Sequence, residues 1–221
     1  MANQPVLITF AVPQESRAFR RALGRMHRKE IRIAHIGVGP AAAGESMTRL
    51  LASEKPRLVI CTGFAGGLRP PLGTGDLVVA ENLSTPELVT RVRRHVPTSS
   101  QLVFGAIISY AEPVESVADK TELAGKTPAL AVDMESEAVA EACLTAAVPL
   151  LVVRAISDPA DTPLPVPFAV WFDIRGQRPR ILALLRYLAL HPEQIAAFAR
   201  FVLGLGPARR AIAAFLLDFL A

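Results

Sequence analysis

Short apolar runs alternate with amphipathic stretches along most of this chain. Pro5–Val12, Ile31–Val38, Arg57–Thr62, Asp76–Ala80, Leu102–Ser109, Leu130–Val132 and Pro149–Ile156 have the length and apolar character of buried strands. Pro149–Ile156 is the most apolar of them. Between them, Gln14–Leu23, Ala41–Ser53 and Met134–Ala147 carry helical patterns, with Met47, Leu50 and Leu51 on one side of the second. Gly37-Val38-Gly39-Pro40 ends the second strand, and Gly63-Phe64-Ala65-Gly66-Gly67 is read as the loop closing the third. This alternation predicts a layered α/β fold.

The pattern changes after Asp161. Thr162–Pro167 holds three prolines and predicts a loop. Three helical faces follow: Ile181, Leu184, Leu185 and Leu188; Ile195, Phe198, Ala199 and Val202; and Ile212, Phe215, Leu216, Phe219 and Leu220. Pro192 and Pro207 are expected at helix starts. No repeat or linker divides the 221 residues, so one domain is expected over 1–221, with 171–221 as a basic helical C-terminal extension. From Arg175 onward seven arginines face only Glu193 and Asp218, which leaves the preceding chain near neutral. These arginines alternate with leucines rather than stacking aromatics, which argues against nucleic acid.

Two cysteines, Cys61 and Cys143, lie in apolar runs and suggest a reducing compartment. His27, His35, His95 and His191 are scattered, so no metal site is expected. The N-terminus lacks the pattern of a signal peptide, and no run reaches the length of a membrane span. A cytoplasmic location is expected.

Ligand sites in open α/β sheets gather at the carboxyl ends of strands, and four segments fall there. Glu15 follows the first strand, where it either enters a crevice or simply starts a helix. Thr62–Gly67 allows close backbone approach, or is only a tight turn. Asp133 and Glu135 start a helix, where a carboxylate can alternatively grip two sugar hydroxyls. Asp158 leaves an apolar strand, where desolvation raises a carboxyl pKa toward that of a general acid. Before Pro159 it can equally be a turn residue. Gly37-Val38-Gly39 with Gly44 has the wrong spacing for a dinucleotide fingerprint, and no P-loop lysine follows a glycine run.

In this order the segments resemble the methylthioadenosine/S-adenosylhomocysteine nucleosidase and purine nucleoside phosphorylase family, over about Pro5 to Asp161. The most specific pieces are Thr62–Leu68 with Gly75-Asp76-Leu77-Val78-Val79, then Val132–Glu135, then Val153–Asp158. The resemblance implies a three-layer α/β/α fold with a central mixed sheet of the purine/uridine phosphorylase type. It implies that Asp158 protonates the leaving purine, that Ser157 holds Asp158, and that Glu15 activates water. Glu135 would bind the ribose hydroxyls over Met134, and Pro113, Val114, Phe64, Ala65 and Gly66 would line the base. It further implies a homo-oligomer, expected as a homodimer, acting on a small nucleoside without a cofactor.

Phosphorylases of the family carry arginine where this chain has Cys61, and an arginine loop where it has Pro13-Gln14-Glu15. Hydrolysis is therefore favoured. Inorganic phosphate would be needed only in a phosphorylase, for which Arg17, Arg57 or Arg69 would have to enter the site. The stretch between Ala80 and Leu102 is short for the family. The tail from Trp171, with Arg178-Pro179-Arg180 and His191-Pro192, is similar to a branch named hopanoid-associated phosphorylases, linked to release of adenine from adenosylhopane. That implies a lipid-linked substrate and contact of the C-terminal helices with the inner face of the membrane. Those helices can equally pack on the sheet or on a partner subunit. A non-catalytic scaffold at the membrane is the competing reading.

Overall fold

A computed structural model describes residues 4–24, 28, 30–95 and 101–221. His27 and residues 96–100 of the short stretch lie outside the described residues. In chain order the elements are β1 (Val6–Phe10), α1 (Pro13–Leu23), β2 (Ile31–His35), α2 (Pro40–Glu54), β3 (Leu58–Gly67) and β4 (Leu77–Ala80). Then follow α3 (Pro86–His95), β5 (Leu102–Gly105), β6 (Ile107–Ser109), α4 (Val117–Lys126), β7 (Ala131–Asp133), α5 (Ser136–Thr145) and β8 (Leu150–Asp158). The chain ends with α6 (Phe168–Trp171), β9 (Phe172–Asp173), β10 (Arg178–Pro179), α7 (Ile181–Leu190) and α8 (Glu193–Leu220).

The main sheet has eight strands, with the path β2-β1-β3-β8-β4-β5 and with β7 joined to β3 and β6. It is mixed: β1, β3 and β8 run parallel, β4 is antiparallel to β8, and β7 is antiparallel to β3. Strands buried on both faces need apolar residues on both, and β1 is buried at every position. On one face Phe19 of α1, Val89 and Val92 of α3 and the last turns of α8 cover Ile8, Ile60 and Val153. On the other, Met47 and Leu51 of α2 and Val139 and Cys143 of α5 cover Leu7, Val59 and Val152. Three layers result, as the resemblance implied.

The structure corrects three expectations. The glycine segment Gly63–Gly67 does not close β3 as a loop; it continues the strand, pairing with β8 from Gly63 to Gly66 and with β7 at Gly66 and Gly67. Pro207 does not start a helix. It lies inside α8, which runs unbroken for 28 residues. An interior proline removes one backbone donor, and here its ring rests against the Gly75 turn. Leu102–Ser109 is two strands rather than one.

α8 is divided in its surroundings. Its buried residues all lie from Ala208 onward, among them Ala211, Ile212, Phe215, Leu216 and Phe219. That half packs on α1 and β8. The half before Pro207 buries no residue fully and forms a wall of the hollow described next.

Candidate active site

The carboxyl ends of β1, β3 and β8 meet around a hollow of about 380 Å³. Glu15, Glu135 and Asp158 all line it, each about 5% exposed. Met134, Ser157, Pro113, Val114, Phe64, Ala65 and Gly66 line it too, so every site residue expected from the sequence faces one space.

Glu15 stands in the first turn of α1, but its side chain does more than start a helix. Oε2 accepts from the Ala11 and Val12 N–H groups at 2.9 and 3.2 Å, and Oε1 from the Phe64 N–H at 2.9 Å. The carboxylate thus ties β1 to β3 at the floor of the hollow. Burial pushes its pKa up, against the nearby charge of Arg154 and these backbone donors.

Glu135 is the residue before α5. Its Oε1 accepts from the Gly39 N–H at 2.9 Å, and its Oε2 lies 3.6 Å from Arg154 Nη2. Burial is the main cause that raises it to about 8, with Arg154 opposing and Asp133 adding to the rise.

Asp158 ends β8. Ser157 Oγ lies 2.5 Å from Oδ1 and Lys120 Nζ 2.5 Å from Oδ2. Burial raises the Asp158 pKa, the direction expected from the sequence, and Lys120 works against it. Lys120 is wholly buried and also donates to the carbonyls of Pro159 and Thr162 at 2.9 and 2.8 Å.

Two glycines make the crowding possible. A Cβ on Gly63 would stand 2.5 Å from Arg154 Nη1 and 2.8 Å from Glu15 Oε1; one on Gly66 would stand 3.1 Å from Asp158 Oδ2. The close approach is therefore to the carboxylates themselves.

Three residues escaped the sequence reading. β8 is not fully apolar: Arg154, 1% exposed, sits at its middle with Nε 2.6 Å from Asp133 Oδ2 and 3.1 Å from Ser136 Oγ. An arginine inside the chain's most apolar run was the available signal. Burial disfavours its charge, but Asp133, Cys61, Glu135 and Glu15 outweigh that and its pKa moves up. Lys120 gave no such signal, because a lysine in an amphipathic stretch ordinarily faces water. Arg209 of α8 is the only cation among the described residues lining the hollow, 5.8 Å from the Phe64 ring centroid. Burial and then Arg17 lower its pKa.

The arginines considered for phosphate do not line the hollow. Arg69 donates to the carbonyls of Ala124, Thr127 and Ala129, while Arg17 and Arg57 are exposed. Cys61 is buried 3.5 Å from Arg154 Nη2, and burial pushes its thiol up to about 11.

Away from the carboxylates the hollow turns apolar. Met134 belongs to a cluster with Phe168, Trp171 and Phe172, the first two rings meeting edge-on at 4.4 Å. Ile181 and Leu184 of α7 and Phe198, Phe201, Val202 and Leu205 of α8 complete the wall. Gln177 fastens this region to the α2 entry, accepting from the Val38 N–H at 2.7 Å and donating to its carbonyl at 2.8 Å.

A mixed sheet with carboxylates collected around a hollow at its strand ends has the architecture of a ligand-binding α/β protein. The chain belongs to the phosphorylase superfamily, whose model matches residues 3–85 and 81–189. It is 31% identical to a 5'-methylthioadenosine/S-adenosylhomocysteine nucleosidase of Baumannia cicadellinicola subsp. Homalodisca coagulata, over 63% of this chain and 72% of the relative. A nucleosidase of the same name from Staphylococcus epidermidis is 28% identical over 68% of this chain and 78% of its own. Among solved structures, futalosine hydrolase of Helicobacter pylori shares the fold at a TM-score of 0.69, with 22% identity, over 98% of this chain and 97% of its own. The methylthioadenosine/S-adenosylhomocysteine nucleosidase of Neisseria meningitidis, solved with methylthio-immucillin-A, does so at 0.67, with 19% identity, over 98% of both chains. The family match stops at residue 189, whereas the likeness of fold extends through α8.

Proposed function

We propose that this protein hydrolyses the N-glycosidic bond of an adenine nucleoside whose ribose carries a large apolar 5′ substituent. The favoured substrate is adenosylhopane, with adenine released in hopanoid biosynthesis. The observation that carries the reading is one hollow with three buried carboxylates at one part and an unbroken apolar wall at the other. Membership in the superfamily and the nucleosidase relatives support the reaction type.

Breaking the C1′–N9 bond sends its electron pair into the purine and leaves oxocarbenium-like charge on the ribose. Asp158 delivers a proton to the departing base, with Ser157 and Lys120 fixing its carboxyl. Water attacks C1′ and yields a proton to Glu15, whose carboxylate burial makes the stronger base. Glu135 takes the ribose hydroxyls above Met134, and Phe64, Ala65, Gly66, Pro113 and Val114 take the base. No cofactor enters this scheme. Met134 joins the ribose region to Phe168, Trp171 and Phe172, so the 5′ substituent runs along that cluster toward α7 and α8.

The protein acts as one domain over 1–221, with 171–221 as the extension that walls the substrate. It is cytoplasmic and homo-oligomeric, and its C-terminal helices reach the inner face of the membrane. The test is adenine release from adenosylhopane and from methylthioadenosine, with and without inorganic phosphate. Release without phosphate, lost in Asp158→Asn, supports hydrolysis. A strict phosphate requirement would reassign the reaction to phosphorolysis, with Arg209 as the cation at hand. No release from either nucleoside overturns the enzymatic reading in favour of a scaffold.

A further inference from the structure

The wall of the hollow does not end inside the protein. Ile181 and Val202 line it and are also 56% and 41% exposed, so its lining passes directly onto the outer surface of α7 and of the first half of α8. That surface carries several exposed apolar side chains. Leu182 is 83% exposed and Leu203 76%, and Leu185, Leu190 and Ile195 are exposed with them. Contiguous exposed apolar residues of this kind mark an interaction face.

We infer that this face, the rim of the hollow, docks on a lipid bilayer bearing anionic headgroups, and that the apolar part of the substrate enters the hollow from the bilayer. The inference rests on the lipid-linked substrate proposed above. Two observations select a bilayer as the occupant. The first is charge: from Trp171 to Gly206, the stretch that carries the face, there are five exposed arginines, Arg175, Arg178, Arg180, Arg186 and Arg200, against Asp173 and Glu193. Of the five, Arg178 is 3.6 Å from Asp173, and Arg180 donates to the Ala169 carbonyl.

The second is placement. Arg186 shares the exposed side of α7 with Leu182, Leu185 and Leu190, and Arg200 lies beside Leu203 on α8. In a symmetric interface with a second copy, these like charges would be drained of water among leucines. At a bilayer the leucines enter the acyl boundary while the arginines extend to phosphates. No described helix is long and apolar enough to cross a membrane, so the contact lies in the interface plane.

The test is flotation of the purified full chain with phosphatidylcholine vesicles and with vesicles containing phosphatidylglycerol. The wild type should float with the anionic vesicles, and high salt should weaken this. Leu182→Ser with Leu185→Ser and Leu203→Ser should abolish flotation, while release of adenine from soluble methylthioadenosine stays within about twofold, since none of the three lines the hollow. Arg186→Glu with Arg200→Glu should remove the preference for anionic vesicles with the apolar face intact. Vesicle binding is read without substrate and turnover without vesicles, so a failure of docking is distinguishable from a failure of the proposed reaction. A wild type that stays unbound to both vesicles overturns the inference. So does a dimer in sedimentation that the triple leucine variant dissociates, which would give the face to a second copy.

Discussion

Lys120 Nζ stands 2.5 Å from Asp158 Oδ2, with the two side chains 0% and 6% exposed. The lysine comes from α4 and the aspartate from the last position of β8, so the pair joins a peripheral helix to the strand that bears the proposed acid. Removing one member of a buried pair leaves the other charge uncompensated. Lys120→Met should lower the unfolding free energy by about 3–5 kcal/mol at neutral pH. The loss should shrink in acid, where Asp158 takes up a proton and sheds its charge. Urea unfolding at both pH values checks this; an equal loss at both refutes it.

Asp158→Asn keeps the shape of the carboxyl and removes the proton it can give. Adenine release should fall by about a hundred- to ten-thousand-fold, with the methylthioadenosine KM changed far less than kcat. Steady-state kinetics at neutral pH read the two separately. A variant with near-normal kcat would remove Asp158 from the chemistry.

Glu135 is raised from its ordinary 4.5 to about 8, and burial raises Glu15 and Asp158 as well. Such groups bind protons more tightly in the folded chain than in the unfolded one. Their contribution is fully present below the unfolded pKa and is lost as pH climbs through the folded value. For Glu135 that window runs from 4.5 to about 8. Denaturant midpoints across this range should fall more steeply in the wild type than in Glu135→Gln. Parallel curves would show that the buried carboxyl does not titrate there.

Gly63→Ala places a methyl group 2.5 Å from Arg154 Nη1 and 2.8 Å from Glu15 Oε1. Both side chains are buried, so neither can swing clear. Overpacking of this kind costs about 1–3 kcal/mol, and activity should fall with it because Glu15 is displaced. Thermal melts paired with adenine release check the two effects; an unchanged enzyme would mean the floor is looser than these distances imply.

Phe201→Ser shortens the apolar wall without touching a carboxylate. Phe201 is half-buried, and a substrate that covers its ring completely would gain up to about 1.5–3 kcal/mol of apolar contact from it. The KM for a lipid-linked nucleoside should rise roughly tenfold or more, while that for methylthioadenosine holds steady. Equal changes for both would place the wall outside the substrate's path.

The strands and the three carboxylates were legible because buried strands leave runs such as Leu150–Val153, and because acids directly after such runs stand at a sheet's ligand-binding end. β3 was read too short. Its glycines suggested a turn, yet Gly66 is held between β8 and β7, and Gly67 against β7, by backbone pairing that needs no side chain. α3 was not read because Val89 and Val92 are its only buried side chains among the described residues, set among many charged neighbours. α4 was hidden by Lys120, which turns inward where a pattern search expects an apolar residue. Arg154 was visible as a letter, but its role needed Asp133, Glu135 and Cys61 to be brought around it by folding. Pro207 misled because a proline ordinarily opens a helix, and only tertiary packing against Gly75 reveals that α8 runs through it.

The undivided α8 makes occupancy and rigidity one property. Its last turns are anchored by Ile212, Phe215 and Phe219, while Phe198, Phe201 and Leu205 border the hollow further up the same rod. A guest that fills the hollow braces the unanchored end, so melting temperature should climb with its concentration. Trimming the anchor should in turn splay the border and empty the hollow, although no residue touching the guest has been altered.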